Sequence, residues 1–160
     1  MRIAKVTIAG AGNWLMAKDQ IGPKVIEAII DRYGPNVEVR NLGSSPLTLL
    51  DLLYGQELLV VIDAAVIGEP GAVRCYEPDL DNEEYPMGGG IHQIGPLETL
   101  LIARRLYKEI LPERIFFITV ATNNFDEKLE QETCCQVVKK IDNLLADWSI
   151  FPVNAVEANC

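Results

Sequence analysis

The sequence predicts an α/β domain built on a mostly parallel sheet. Three observations carry that prediction. Short apolar stretches alternate with segments whose apolar residues recur at three- and four-residue spacing, the pattern of strand–helix–strand units. Leu58-Leu59-Val60-Val61-Ile62 is an unbroken apolar run, as expected of a strand covered on both faces. The first apolar stretch also runs straight into Gly10-Ala11-Gly12-Asn13, a turn placed ahead of a helical pattern.

Residues 4–9 read as the first strand. A helix over 21–33 follows, with Ile21, Val25, Ile26, Ile29 and Ile30 on one face and Gly34-Pro35 as its stop. Pro23 fits because the first turn of a helix does not need its missing N–H. A short strand over 37–41 and a short helix over 48–54 come next. The third strand covers 58–64, and 72–76 is a fourth, antiparallel candidate. A second long helix spans 96–110, with Leu97, Leu100, Ala103, Tyr107 and Ile110 inward. Residues 114–121 form a fifth, buried strand. The last helix, 129–148, puts Cys134, Val137, Val138, Ile141, Leu144, Leu145 and Trp148 on one stripe.

Composition sets the class. With 160 residues, 49% of them hydrophobic and 23% charged, the chain reads as one domain over 1–160. A core of that size buries roughly 70% of the unfolded surface and needs no disulfide or metal to hold it. Fourteen Lys+Arg against 23 Asp+Glu leave a net charge of −9. Such a chain supplies no basic stripe for nucleic acid and no attraction to an anionic membrane. Lys5 interrupts any signal-peptide core, and no apolar run approaches the ~20 residues of a membrane span, so a cytoplasmic protein is expected. Cys75, Cys134, Cys135 and Cys160 match neither a disulfide framework nor a zinc ribbon.

One segment breaks the regularity. Glu77, Asp79, Asp81, Glu83 and Glu84 occur with no positive residue among them, ahead of Gly88-Gly89-Gly90. Three successive glycines maximise backbone freedom, so 77–90 reads as a mobile, solvated acidic loop. It lacks the glycine and the terminal glutamate of a calcium loop.

In an open parallel sheet, ligands bind beyond the carboxyl ends of the strands, where strand order reverses. Three polar residues fall there: Asp19 after strand one, Asp63 at the end of strand three, and His92, the single histidine. Two carboxylates and an imidazole form an open donor set for a divalent metal with positions left for substrate. Each has a plainer account as well. Asp19 can cap a helix, Asp63 can bond amides of its own turn, and His92 can be a structural residue. Trp14 either lines the crevice or covers the sheet end.

Other chemistries are poorly supplied. Gly10-Ala11-Gly12 begins like a dinucleotide fingerprint, but Leu15 takes the third glycine position and Arg40-Asn41 replaces the ribose-binding acid. No Gly-x-Ser-x-Gly elbow exists. Cys134 belongs to an apolar stripe rather than to a nucleophilic site.

The chain resembles the hydrogenase maturation proteases, endopeptidases that trim the C-terminus of the large subunit of nickel–iron hydrogenases. The resemblance rests on Ile8-Ala9-Gly10-Ala11-Gly12-Asn13-Trp14-Leu15, Asp19-Gln20-Ile21-Gly22, Val60-Val61-Ile62-Asp63-Ala64 with Pro70-Gly71, and His92-Gln93-Ile94-Gly95. It covers nearly the whole chain. It implies a three-layer αβα sandwich around a five-stranded, mostly parallel twisted sheet. It implies that Asp19, Asp63 and His92 are the catalytic and metal-contacting residues, touching nickel carried in by the large-subunit precursor, with zinc or cadmium as substitutes in vitro. Gly10, Gly12, Asn13 and Gly43 would shape the loops along the substrate peptide.

The sequence departs from the family at Lys18-Asp19-Gln20, where an acidic pair and Asp-Gly are common, at Leu42-Gly43-Ser44-Ser45, and at Thr122-Asn123-Asn124-Phe125. The competing expectations are a non-enzymatic small-molecule or nucleotide-binding domain, and a large-subunit chaperone without cleavage activity.

Overall fold

The computed structural model describes residues 4–65, 68–82 and 94–154. Five strands, β1 (Val6–Ala11), β2 (Val37–Gly43), β3 (Leu58–Ala65), β4 (Val73–Tyr76) and β5 (Arg114–Ala121), form one sheet in the order β2-β1-β3-β5-β4. The first four in that order run parallel, and β4 pairs antiparallel with β5 at the edge. The helices are α1 (Ile21–Ile29), α2 (Pro96–Leu106) and α3 (Glu127–Ala146).

Alternation along the strands sorts the core into two halves. Val6, Ile8, Leu58, Val60, Ile62, Ile118 and Val120 face α1 and α3. Ala9, Ala11, Leu59, Val61, Ile115 and Phe117 face α2 and a 3-10 segment, Pro46–Leu52. Both faces of β1 and β3 are therefore sealed, which is why their sequences do not alternate in polarity. The expected three-layer αβα sandwich is the architecture observed.

On one flank α1 and the turn that follows it are tied to α3 by polar contacts. The Arg32 guanidinium makes a two-pronged contact with Asp142 at 3.0 and 2.7 Å, and the Tyr33 hydroxyl donates to the same carboxylate at 2.6 Å. Lys24 pairs with Glu130.

Several expectations shift at helix ends. The first helix closes at Ile29 and Ile30 is 54% exposed, so it lies off the buried stripe. The second closes at Leu106: Tyr107 leaves helical geometry (φ −141°, ψ 49°), a 3-10 turn Lys108–Ile110 follows, and Tyr107 is 50% exposed instead of inward. The helix expected over 48–54 is the 3-10 segment Pro46–Leu52. The last helix starts earlier, because the Asp126 side chain accepts the Leu129 N–H at 2.7 Å and caps it.

In the acidic segment the described acids Glu77, Asp79 and Asp81 are exposed, as expected, and two of them are paired. Asp81 takes a two-pronged contact from Arg104 of α2, and Glu77 pairs with Arg114 of β5. Residues 83–93, with Gly88, Gly89, Gly90 and His92, lie outside the described residues. Cys75 and Cys134 are free thiols, whereas Cys135 is disulfide-bonded, which the cysteine spacing did not predict.

Candidate active site

The chain leaves β1 toward β2 on one side and places β3 on the other, so the switch point lies between the carboxyl ends of β1 and β3. Both ends carry the predicted polar residues.

Asp63 is delivered by β3. It stands level with Thr119 of β5, on the sheet face shared with Leu59 and Val61, and its Oδ1 accepts the Ala64 N–H at 2.9 Å. Burial pushes its carboxyl up to about 7; the Ala64 bond opposes the shift, and the charges of Asp19 and Glu98 add to it. The plain account of Asp63, bonding its own turn, is thus part of the observed geometry and leaves its second oxygen without a hydrogen bond among the described residues.

Asp19 arrives differently. It ends a 3-10 turn, Ala17–Asp19, and Gln20 rather than Asp19 is the N-cap residue of α1. Its Oδ2 accepts the Asn13 N–H at 3.0 Å. Inside the loop so closed, Asn13 Oδ1 accepts the Leu15 N–H at 2.9 Å, Met16 N–H donates to the Asn13 carbonyl at 3.1 Å, and Gln20 Nε2 donates to the Trp14 carbonyl at 2.6 Å. Just past β5, the Thr122 hydroxyl donates to the Lys18 carbonyl at 2.7 Å, and the Thr122 N–H donates to the Ala65 carbonyl at 3.0 Å. One threonine therefore ties the Asp19 turn to the end of β3.

Glycines set how closely these pieces approach. A Cβ on Gly10 would lie 2.5 Å from Ile26 Cγ1 and 2.6 Å from the Gly22 carbonyl oxygen. Gly12 has φ +144°, and a Cβ there would meet the Asp19 carbonyl oxygen at 2.1 Å. The first turn of α1 thus lies against the end of β1, and the Asp19 turn folds back over it. Gly43, at φ +58°, has open space around it, and its carbonyl accepts the Gly12 N–H at 3.2 Å.

Asp19, Asp63, Gly10, Gly12, Asn13 and Gly43 gather at this edge of the sheet; His92 lies outside the described residues. Among the described residues no three His, Cys, Asp or Glu side chains are grouped to hold a metal ion. Sequence reading missed three contributors. Glu98, in the first turn of α2, accepts the Gly95 N–H at 3.0 Å and raises Asp63; the Gly95-Pro96-x-Glu98 helix start was its available signal. For Thr122 the sequence offers only the departure from the family at Thr122-Asn123-Asn124-Phe125. Asn123 follows it, with a buried Oδ1 that has no hydrogen-bond partner among the described residues.

The nucleotide alternative loses ground here. The Gly12 and Asn13 N–H groups, which a phosphate would need, are taken by Gly43 and by the Asp19 carboxylate. An acid stands where an anion would bind.

An open α/β sandwich whose two acids stand at the switch point belongs to the doubly wound class, in which ligands bind beyond the carboxyl ends of the strands. The profile of one family, hydrogenase maturation protease, matches residues 23–147. Solved structures agree in fold. The hydrogenase maturating endopeptidase HybD from E. coli superposes with a TM-score of 0.75 at 19% identity, over 92% of this chain and 96% of that one. The [NiFe] hydrogenase maturation protease HycI from Thermococcus kodakarensis KOD1 gives 0.64 at 23% identity, over 89% and 93%. No curated protein sequence matches the chain. The chain belongs to the hydrogenase maturation protease family.

Proposed function

We propose that the protein is the endopeptidase that removes the C-terminal extension of a nickel–iron hydrogenase large-subunit precursor, and that nickel already in the precursor is what it recognises. The observation that carries this reading is that Thr122 ties the Asp19 turn to the end of β3, the strand that carries Asp63, at the switch point of the sheet.

Nickel enters as part of the substrate. Asp19, Asp63 and His92 would take coordination positions left open by the precursor's own ligands, so productive docking would depend on correct metal loading. The protein's contribution is placement. β3 holds Asp63 in a sealed sheet, and the Asn13 N–H with the Thr122–Lys18 bond holds the Asp19 turn beside it.

An ordinary carboxylate, with a pKa near 4, is a weak base at neutral pH. A water activated by the nickel or by one of the carboxylates would attack the scissile carbonyl, the metal supplying polarisation and a lowered water pKa. Gly10, Gly12, Asn13 and Gly43 would leave room for the peptide beside these acids. A protein of this function works in the cytoplasm, and among the described residues no helix is long and apolar enough to cross a membrane.

Site variants test the assignment. Asp19→Asn, Asp63→Asn and His92→Ala should each stop trimming of a nickel-loaded precursor while circular dichroism shows a folded domain. Normal trimming by all three would remove the site. Precursor that co-purifies with the wild-type protein yet is never shortened would favour the chaperone alternative.

A further inference from the structure

Beside the two acids the loop displays three consecutive large apolar side chains: Trp14 is 43% exposed, Leu15 92% and Met16 59%. Single exposed apolar residues are ordinary on a protein surface, but a contiguous group marks an interaction site more often. This group is held firmly. The Leu15 and Met16 N–H groups and the Trp14 carbonyl are all hydrogen-bonded within the loop, and the Asp19 carboxylate closes it through Asn13. The backbone presenting these side chains is therefore already hydrogen-bonded in the unbound chain, which lowers the cost of binding.

We propose that Trp14, Leu15 and Met16 form the docking surface for an apolar patch on the precursor, next to the segment whose peptide bond is cut. This assignment rests on the protease reading above. Two observations single out that partner. The surface is continuous with the site, because the residue closing the loop, Asp19, is itself one of the two acids. Residues 10–17 also contain no charged side chain, in a chain of net charge −9. Contact here is by apolar area and not by charge, so it adds to the metal contact without replacing it.

Trp14 reports on the contact directly. The chain has two tryptophans, so Trp148→Phe leaves Trp14 as its only tryptophan, read by excitation at the red edge after subtraction of the precursor's own emission. Titration with nickel-loaded precursor should shift Trp14 emission to the blue as water leaves the indole. Leu15→Asp and, separately, Met16→Asp should weaken binding by about tenfold or more and raise KM, with melting temperatures close to wild type. Raising ionic strength from about 0.05 to about 0.5 M should change wild-type affinity by less than about threefold.

Cleavage by wild type together with unaltered KM in both Asp variants would overturn the docking surface and leave the protease reading standing. Loss of a self-dimer in Leu15→Asp with unchanged precursor affinity would overturn it too, by assigning the face to a second copy. A wild-type protein that neither binds nor cuts the loaded precursor would remove both readings.

Discussion

Asp63 at the end of β3 lies within the field of Asp19, and that charge adds to burial in holding the Asp63 carboxyl up at about 7. A group raised in this way works against the fold when ionised. The folded chain binds the proton more tightly than the unfolded chain, whose Asp63 titrates near 3.8. Asp63 is therefore harmless to stability below pH 4 and costs progressively more as pH rises from about 4 to about 7. The gap between 3.8 and about 7 corresponds to roughly 4 kcal/mol at most, in full above pH 7.

Asp63→Asn should consequently stabilise the metal-free protein at pH 8, by about 2–4 kcal/mol in urea denaturation, and make no difference at pH 4. The same variant should be inactive, a trade of stability for function. Equal stability of the two proteins at both pH values would mean that Asp63 is not held in a desolvated site.

Asp19 combines a charge with a backbone contact, and two substitutions separate them. Asp19→Asn keeps an oxygen that can accept the Asn13 N–H, so it should cost less than about 0.5 kcal/mol while losing cleavage. Asp19→Ala removes the acceptor and should cost about 1–2 kcal/mol. Thermal denaturation of both variants makes the comparison.

Divalent cations should bind in place of protons. Nickel, zinc or cadmium should raise the melting temperature more at pH 8 than at pH 5, because the proton on Asp63 competes with the metal below pH 7. Asp19→Asn, Asp63→Asn and His92→Ala should each lower the gain. A shift that nucleotides produce and these metals do not would restore the phosphate-cradle alternative.

The glycines divide by environment. Gly10→Ala drives a methyl into Ile26 and the Gly22 carbonyl and should cost about 3 kcal/mol or more, or prevent folding. Gly43→Ala meets open space and carries only the left-handed backbone penalty, about 1–2 kcal/mol. A denaturation series on the two variants tests whether β1 and α1 approach as closely as described.

Much of this arrangement was legible in the sequence because it follows from short-range patterns. Leu58–Ile62 announced a strand sealed on both faces, and Asp63 stood out as the first polar residue after it. Asp19 stood out by following a glycine turn. Periodicity fixes which face of a helix is buried but not where the helix stops, so Ile30 and Tyr107 were placed inward and are found outside. Capping decides those ends, through contacts such as Asp126 with the Leu129 N–H. Glu98 and Thr122 act on the site from elements far along the chain, and only the packed sheet brings them there. The ion pairs of Asp81 and Glu77 with Arg104 and Arg114 were hidden for the same reason.

The most direct test is the intact mass of a nickel–iron hydrogenase large-subunit precursor before and after incubation with the protein, run in parallel on nickel-loaded and nickel-free forms. A metal-recognising protease shortens the loaded form by a single C-terminal peptide and leaves the nickel-free form at its original mass. A loaded precursor of unchanged mass, or equal shortening of both forms, would contradict the proposal.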